Sequence, residues 1–244
     1  MIKNEEIKSL YNSIISKSYF GDYEFNRWFK TQSRRTDFFM THSAIKLHLK
    51  GINFKRCLEL GPGPGTWTRL LFRQNPEAFF DLVDISIEMK RQFELEMRGG
   101  KNIQYFVKDI MDFEPEDKYD LFFSARAVEY LSDKKSFFNK LHGCMNVGGR
   151  GILITKNPRF GFRKKKKIPK QHTGQIYHKD LRKILSETGF SEIMVYPVII
   201  RIPILNRLGP LSSEKLFKAI YTRKIQDNLM LKLFESYLVT FLRK

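Results

Sequence analysis

The sequence has only two cysteines, Cys57 and Cys144, among its 244 residues. Two thiols provide neither a disulfide framework nor a cysteine-rich zinc site, so we expect a reducing compartment and predict no metal site. The sequence also lacks an apolar run of about 18 residues, the length that a transmembrane helix needs. Its first ten residues, MIKNEEIKSL, carry two glutamates where a secretory signal would be apolar. These absences predict a cytoplasmic protein.

Acidic residues are scarce relative to basic ones: the sequence has 26 Asp and Glu and 44 Lys and Arg, which gives a formal net charge of +18. Residues 134–179 hold thirteen Lys or Arg and no Asp or Glu, and they include the run RKKKK at Arg163–Lys167. Since 42% of the residues are hydrophobic and 14% aromatic, the chain can form a substantial core. This composition excludes a disordered polycation and suits one large folded domain.

Short apolar runs alternate with amphipathic stretches from Arg56 onward. The runs are CLEL, FFDLVDI, NIQYFV, YDLFFS and GRGILIT, and helical patterns lie near residues 67–75, 87–97, 133–143 and 177–188. Continuous apolar runs are typical of parallel strands that helices cover on both faces, so this alternation predicts βαβ units in an α/β fold. Residues 1–50 predict two or three further helices, and EIMVYPVII and SYLVTFLRK predict two more strands.

Glycines and acidic residues follow three of the predicted strands. Gly61, Gly63 and Gly65 come after the first strand, where glycine lets the backbone approach a ligand closely, although a plain Gly-Pro loop remains an alternative. Asp84 and Asp109 end the second and third runs. The carboxyl ends of adjacent parallel strands meet in one crevice, where Asp84 could accept both hydroxyls of a ribose. For Asp109 by itself, a helix N-cap is the alternative.

The spacing of the glycines limits the choice of nucleotide. A dinucleotide fingerprint needs a glycine where Thr66 stands, and the phosphate-binding G-x-x-x-x-G-K-[ST] motif is absent, which disfavours NAD and ATP. Glycines flanked by acids suit a ligand that has a ribose and an ammonium group but no phosphates. S-adenosylmethionine is such a ligand.

With these motifs, the sequence resembles the class I S-adenosylmethionine-dependent methyltransferases of the type that modifies small molecules, lipids and sugars. The resemblance covers about residues 52–199 and the last strand. It implies a Rossmann-like, doubly wound sheet of seven strands, six parallel and the last antiparallel, with N-terminal helices and a helical insertion before the last strand. The implied organisation is a helical lid at 1–50 and a methyltransferase domain at 51–244, with a basic loop at 159–176 and the insertion at 201–235.

The resemblance also implies the residues of a cofactor site. The residues expected to bind S-adenosylmethionine are Glu59, Gly61, Pro62, Gly63, Gly65, Thr66, Asp84, Ile85, Asp109, Ile110, Ser124 and Ala125. By this likeness, the glycine motif surrounds the methionine moiety, Asp84 holds the ribose and Asp109 holds the adenine edge. The segment YDLFFSARAVEYL would place Ser124 and Ala125 beside the sulfonium and start the next helix near Glu129.

The acceptor is less well defined by the sequence. Methyl transfer mainly requires alignment of the reacting atoms, and a hydroxyl acceptor also gains from a general base. Among the five histidines (His42, His48, His142, His172 and His178), His172 is the candidate base because HTGQ follows the basic loop, although it could simply hydrogen-bond that loop. The segment SARA replaces the motif that commonly serves amino acceptors in nucleic acids. We therefore predict an O-methyltransferase for a sugar, a lipid-linked glycan or another small or lipid acceptor.

Three hypotheses remain for the basic surface. The first is nucleic acid binding by RKKKK, which would make the chain an RNA or DNA methyltransferase. The second is peripheral contact with an anionic membrane at its inner face, or with a lipid-linked acceptor, because polybasic clusters favour such surfaces. The third is a solvated loop without a partner. From another class, an inactive cofactor-binding module is also an alternative.

Overall fold

The computed structural model describes residues 4–16, 23–97, 100–158, 160, 174–200, 212, 215, 216, 219 and 233–244. Its strands are β1 (Arg56–Leu60), β2 (Phe79–Asp84), β3 (Ile103–Val107), β4 (Tyr119–Ala125), β5 (Met145–Lys156), β6 (Phe190–Ile200) and β7 (Phe234–Arg243). They form one sheet in the order β3-β2-β1-β4-β5-β7-β6. Of these strands, β7 pairs antiparallel with β5 and β6, and the remaining pairs are parallel. The predicted doubly wound α/β sheet is therefore confirmed.

Helices cover both faces of the sheet. The α-helices are α1 (Asn4–Ser16), α2 (Gln32–Leu49), α3 (Thr68–Gln74), α4 (Ile87–Glu96), α5 (Lys134–Cys144) and α6 (His178–Glu187). Side chains alternate along each strand, so Phe123 packs with residues of α2 and α3 on one face while Phe122 packs with residues of α5 and α6 on the other. Both phenylalanines are fully buried. This two-sided burial explains why the strands are continuous apolar runs in the sequence.

Two local features differ from the sequence-based expectations. A five-residue π-helix, Phe25–Phe29, lies between α1 and α2, and helical periodicity gave no sign of it. After β4 the chain forms a short 3₁₀ turn at Val128–Tyr130, and α5 begins at Lys134, so the expectation of the next helix near Glu129 is corrected. The α5 start is capped by Asp133, whose side chain accepts a hydrogen bond of 2.9 Å from the N–H of Ser136.

The basic loop and the insertion are described only in part. His172 and the run Arg163–Lys167 lie outside the described residues, as does most of the range 201–235. Positions 212, 215, 216 and 219 of the predicted insertion are helical, and β7 begins at Phe234, two residues before the predicted start of the last strand at Ser236. Among the helices within the described ranges, none is both long and apolar enough to cross a bilayer.

Candidate functional site

A cleft of about 970 Å³, including its open mouth, lies at the carboxyl ends of β1, β2 and β4. In the sheet order β3-β2-β1-β4, the chain proceeds from β1 to β2 and β3 on one side and then continues with β4 on the other side of β1. Ligands of open α/β sheets bind at such a switch point in the strand order. Nine of the twelve residues expected from the sequence line this cleft. They are Gly61, Pro62, Gly63, Thr66, Asp84, Ile85, Asp109, Ile110 and Ala125. Three separate turns of the chain thus meet around one cavity, as the sequence predicts.

The glycine loop after β1 approaches its neighbours so closely that a larger residue would not fit. Gly61 has a φ of +70°, and a Cβ added there would lie 2.4 Å from the Cβ of Ala127. Its N–H donates a hydrogen bond of 2.9 Å to the carbonyl of Val83 in β2. Gly63 has a φ of +57°. Because both glycines adopt left-handed backbone angles, the loop can turn sharply and present its backbone to the cleft.

Asp84 is the carboxylate that faces the cleft at the end of β2. Its Oδ2 accepts a hydrogen bond of 3.2 Å from the N–H of Gly63, and its Oδ1 accepts one of 3.0 Å from the N–H of Ser86. Burial raises the pKa of Asp84 to about 6, against the opposing effect of these hydrogen bonds. A carboxyl group that is largely surrounded by protein, yet ionised at neutral pH, is suited to accept hydrogen bonds from a ligand's hydroxyls.

Three of the predicted residues do not line the cleft. Glu59 is 1% exposed, and its Oε2 accepts a hydrogen bond of 2.7 Å from the hydroxyl of Thr68. Burial raises the pKa of Glu59 to about 8. Ser124 is fully buried, and its hydroxyl donates a hydrogen bond of 3.0 Å to the carbonyl of Leu60. Gly65 packs on Phe93, because a Cβ added to Gly65 would lie 2.8 Å from the Phe93 ring. These residues support the floor of the cleft.

Asp109 combines the two roles that the sequence left open. It is the N-cap of the 3₁₀ turn Ile110–Asp112, with its Oδ1 accepting a hydrogen bond of 2.9 Å from the N–H of Met111. It also lines the cleft, together with Ile110 and Lys108. Capping fixes the direction of the carboxylate, so the helix-cap interpretation and the ligand-site interpretation apply to the same side chain.

The N-terminal segment, predicted as a lid, forms a wall of the cleft through residues that the sequence did not single out. Ile7, Tyr23, Arg27 and Trp28 all line it. Trp28 packs edge-on against Trp67 of the glycine segment, with 5.4 Å between the ring centroids. No local motif marks these positions, because their neighbourhood is created by tertiary packing. Other lining residues that sequence reasoning missed are Leu60, Pro64, Val83, Met89, Lys108, Arg126, Ala127, Tyr130 and Leu131.

These residues fit S-adenosylmethionine on structural grounds. The glycine loop leaves space that a Cβ at Gly61 would fill, and the carboxylate of Asp84 stands beside that loop. A carboxylate there favours hydroxyl and ammonium groups and would repel a pyrophosphate. Apolar side chains, among them Val83, Ile110 and Met89, complete a surface on which an adenine ring can pack.

Comparison with known proteins finds that this chain is similar to methyltransferases. Residues 57–149 match a family model described as a methyltransferase domain. Over 117 residues the chain is 30% identical to malonyl-[acyl-carrier protein] O-methyltransferase 1 of Ilyobacter polytropus, and the alignment covers 47% of this chain and 44% of that relative. Over 106 residues it is 29% identical to trans-aconitate 2-methyltransferase of Escherichia coli O139:H28, and the alignment covers 43% of this chain and 40% of that relative. The chain spans less than half the length of these two curated relatives.

Solved structures share the fold over most of the chain. The N-methyltransferase NodS of Bradyrhizobium japonicum, in complex with S-adenosyl-L-homocysteine, has a TM-score of 0.63 at 15% identity and covers 96% of this chain and 97% of its own. An S-adenosylmethionine-dependent methyltransferase of Mesorhizobium loti has a TM-score of 0.60 at 18% identity, covering 82% and 96%. Residues 57–149 are therefore similar to a methyltransferase domain, and the chain shares its fold with solved S-adenosylmethionine-dependent methyltransferases.

Proposed function

We propose that this chain is an S-adenosylmethionine-dependent methyltransferase that transfers a methyl group to an oxygen atom of a small acceptor. The observation that supports it most is the cradle at the switch point of the sheet, where the Gly61–Gly63 turn and the Asp84 carboxylate line one cleft. In this proposal Asp84 binds the ribose hydroxyls and Asp109 the adenine edge. The other lining residues from the sequence prediction pack around the same ligand, and Glu59, Gly65 and Ser124 hold its floor in place.

The chemistry asks little of the protein beyond positioning. When bound, S-adenosylmethionine supplies a methyl group on a sulfonium, and the acceptor oxygen forms a bond to that carbon as the sulfur keeps the electron pair. The cleft must therefore align the acceptor and exclude water. The apolar wall of Trp28, Trp67 and Ile7 is suited to that exclusion. We assign residues 1–50 as a lid on this basis, with the methyltransferase domain at 51–244.

An oxygen acceptor is supported by the names of the curated relatives. One is called a malonyl-[acyl-carrier protein] O-methyltransferase and another a trans-aconitate 2-methyltransferase, and both named acceptors are carboxylic acids. A small carboxylic acid is accordingly the first acceptor class to assay. The sugar or lipid-linked glycan acceptor, the cytoplasmic setting and contact with an anionic membrane stay predictions from the sequence.

A general base is needed only if the acceptor oxygen is a hydroxyl. His172 lies outside the described residues, but the chain returns at Gly174 to the carbonyl of Glu129, which a Cβ on that glycine would meet at 1.9 Å. This close approach brings the end of the basic loop to the turn after β4, which supports His172 as the candidate base. A carboxylate is already ionised, so its methylation should not depend on His172.

The test is transfer of label from methyl-labelled S-adenosylmethionine. The full chain is incubated with malonate, trans-aconitate, simple sugars, RNA and DNA, alongside the Asp84→Asn variant and the control Asp112→Asn, an exposed aspartate outside the cleft. We expect label in a small acid as a base-labile methyl ester, lost in Asp84→Asn and retained in Asp112→Asn. Label only in RNA or DNA would favour the nucleic acid alternative, and no label in any acceptor would contradict the proposal.

A further inference from the structure

Two arginines line the cleft in addition to the residues that the proposed function assigns to the cofactor. Arg27 of the π-helix and Arg126, directly after β4, both line the cavity. Burial and, to a smaller extent, the Asp84 carboxylate raise the pKa of the Tyr23 phenol, while Arg27 and Arg126 oppose that rise. Tyr23 lines the same cavity, so the phenol lies close to both guanidinium groups.

Arg27 is the less constrained of the two cations. Its guanidinium carbon lies 4.1 Å from the centroid of its neighbour Trp28, a stacking that fixes the plane of the group and leaves its N–H donors at the edge. Among the described residues, no carboxylate pairs with Arg27. A half-buried guanidinium that lines a cavity and has no counterion within the described ranges can bind an anion.

Arg126 is held in an unusual backbone conformation beside it. Its φ is +71°, in the left-handed region that a non-glycine residue rarely adopts, and its N–H donates to the carbonyl of Ile154 at 2.8 Å. Its Nη2 donates to the hydroxyl of Ser236 at 2.5 Å. Its Nη1 forms an ion pair with the buried Glu129, 3.6 Å from Oε1, but at that distance it makes no hydrogen bond and has no acceptor within the described part of the chain.

A third cation adds to the positive charge at this place. Lys156, at the end of β5, has its pKa lowered to about 8 by burial and by repulsion from Arg126 and Arg27. Glu129 and Glu235 offset part of that charge, but Oε1 of Glu129 already accepts the N–H of Lys156 at 3.0 Å. Lys156 thus adds positive charge near the two arginines that line the cleft, and an anion bound between those arginines would lower the repulsion among the three cations.

We propose that Arg27 and Arg126 bind a carboxylate group of the methyl acceptor, which makes them the residues that select an anionic substrate. This inference rests on the proposed function, because it assigns the acceptor side of the same cleft. Two guanidinium groups, one from the N-terminal segment and one from the turn after β4, present donors with a fork geometry that matches a carboxylate. An acceptor without a negative charge would leave these donors unpaired.

The experiment is calorimetric binding of malonate to the full chain saturated with S-adenosyl-L-homocysteine. Malonamide, which has the same shape and no charge, is the matched ligand. The variants are Arg27→Gln, Arg126→Gln and Arg27→Lys, and the control is Arg182→Gln, which changes an exposed arginine on α6 outside the cleft. We expect malonate to bind about tenfold or more tightly than malonamide, on the scale of a charge-assisted hydrogen bond.

Each glutamine variant in the cleft should weaken malonate binding by about tenfold or more, while Arg27→Lys retains part of the affinity and Arg182→Gln all of it. Thermal melting shows whether Arg126→Gln still folds. If it does not fold, malonate binding by Arg27→Gln tests the inference. Equal binding of malonate and malonamide, or malonate binding that Arg27→Gln leaves unchanged, would overturn this inference. Failure of the homocysteine compound itself to bind would instead refute the proposed function.

Discussion

The main-chain N–H of Gly63 donates a hydrogen bond of 3.2 Å to Oδ2 of Asp84. This bond joins the turn after β1 to the end of β2, two places that are 21 residues apart in the chain. It orients the Asp84 carboxylate and fixes the left-handed turn at Gly63 in one contact. A ligand that binds one of these groups therefore meets the other already in position, which lowers the cost of ordering the site.

Replacing Asp84 by asparagine should weaken cofactor binding with little change in the fold. The amide has nearly the same shape but lacks the charge and one acceptor oxygen, so two hydroxyls can no longer be held equally well. We expect a loss of roughly 1–3 kcal/mol in the calorimetric binding free energy of S-adenosyl-L-homocysteine. Asp112→Asn, on the exposed side of the 3₁₀ turn, is the matched control and should bind as wild type. Unchanged affinity in Asp84→Asn would remove this residue from the ligand site.

Cofactor affinity should increase with pH between about 5 and 7. The pKa of Asp84 is raised to about 6 by burial, so at pH 5 only about a tenth of the chains carry the ionised carboxylate that accepts hydroxyls. Binding measured at pH 5 should therefore be about tenfold weaker than at neutral pH. The Asp84→Asn variant should show a much flatter profile over the same range. If wild type and variant vary alike with pH, another group controls the dependence.

Alanine at Gly61 should disrupt the turn for two separable reasons. Its φ of +70° strains any residue with a Cβ, and the added carbon would lie 2.4 Å from Cβ of Ala127. Gly51 isolates the first effect, since its φ is +79° and an added Cβ would meet nothing within 4 Å. We expect Gly51→Ala to lower the free energy of unfolding by about 1–2 kcal/mol and Gly61→Ala to lower it further. Cofactor affinity should fall in Gly61→Ala and stay unchanged in Gly51→Ala. Equal effects on both unfolding and binding would contradict the close approach at Gly61.

Stability near neutral pH should fall as the pH rises, because of Glu59. Burial raises its pKa from 4.5 to about 8, so the folded chain holds this proton where the unfolded chain has released it. Between about pH 6.5 and 8 the unfolded state binds fewer protons, and the free energy of unfolding decreases. The pKa of Asp84 is shifted to about 6 and that of His48 to about 4, so these two groups change the free energy of unfolding mainly below this pH window. Urea unfolding of Glu59→Gln, which keeps the shape, should show a weaker decrease, and an identical slope in both proteins would refute the assignment.

The sequence predicted the strands well because each lies between two layers of helices and is apolar along its whole length. Helix positions followed from amphipathic spacing, as in α3 and α4, whose bounds lie within one residue of the predicted ranges. The number of strands and the antiparallel direction of β7 came from the resemblance to a family, since periodicity carries no information about which strands pair. The π-helix Phe25–Phe29 was missed because its five residues have no distinctive pattern.

The part of the cleft at the ends of β1, β2 and β3 was predictable because its residues lie at strand ends, where the sequence shows an apolar run followed by a glycine or an acid. Glu59 and Ser124 follow the same pattern, but side-chain alternation along β1 and β4 directs them into the interior. The two arginines that line the cleft were not predictable from the sequence. Arg27 is far from the motifs in sequence, and Arg126 stands out only through its positive φ and its contacts with β7.

The central claim is that the turns after β1, β2 and β3 form a site for an adenosyl sulfonium ligand without phosphates. Calorimetric titration of the full chain with S-adenosyl-L-homocysteine, compared with NAD and ADP under the same conditions, tests it most directly. The account predicts one saturable site per chain for the homocysteine compound and no comparable binding of either phosphate-bearing ligand. Tight binding of NAD or ADP in its place, or no binding of S-adenosyl-L-homocysteine, would contradict it.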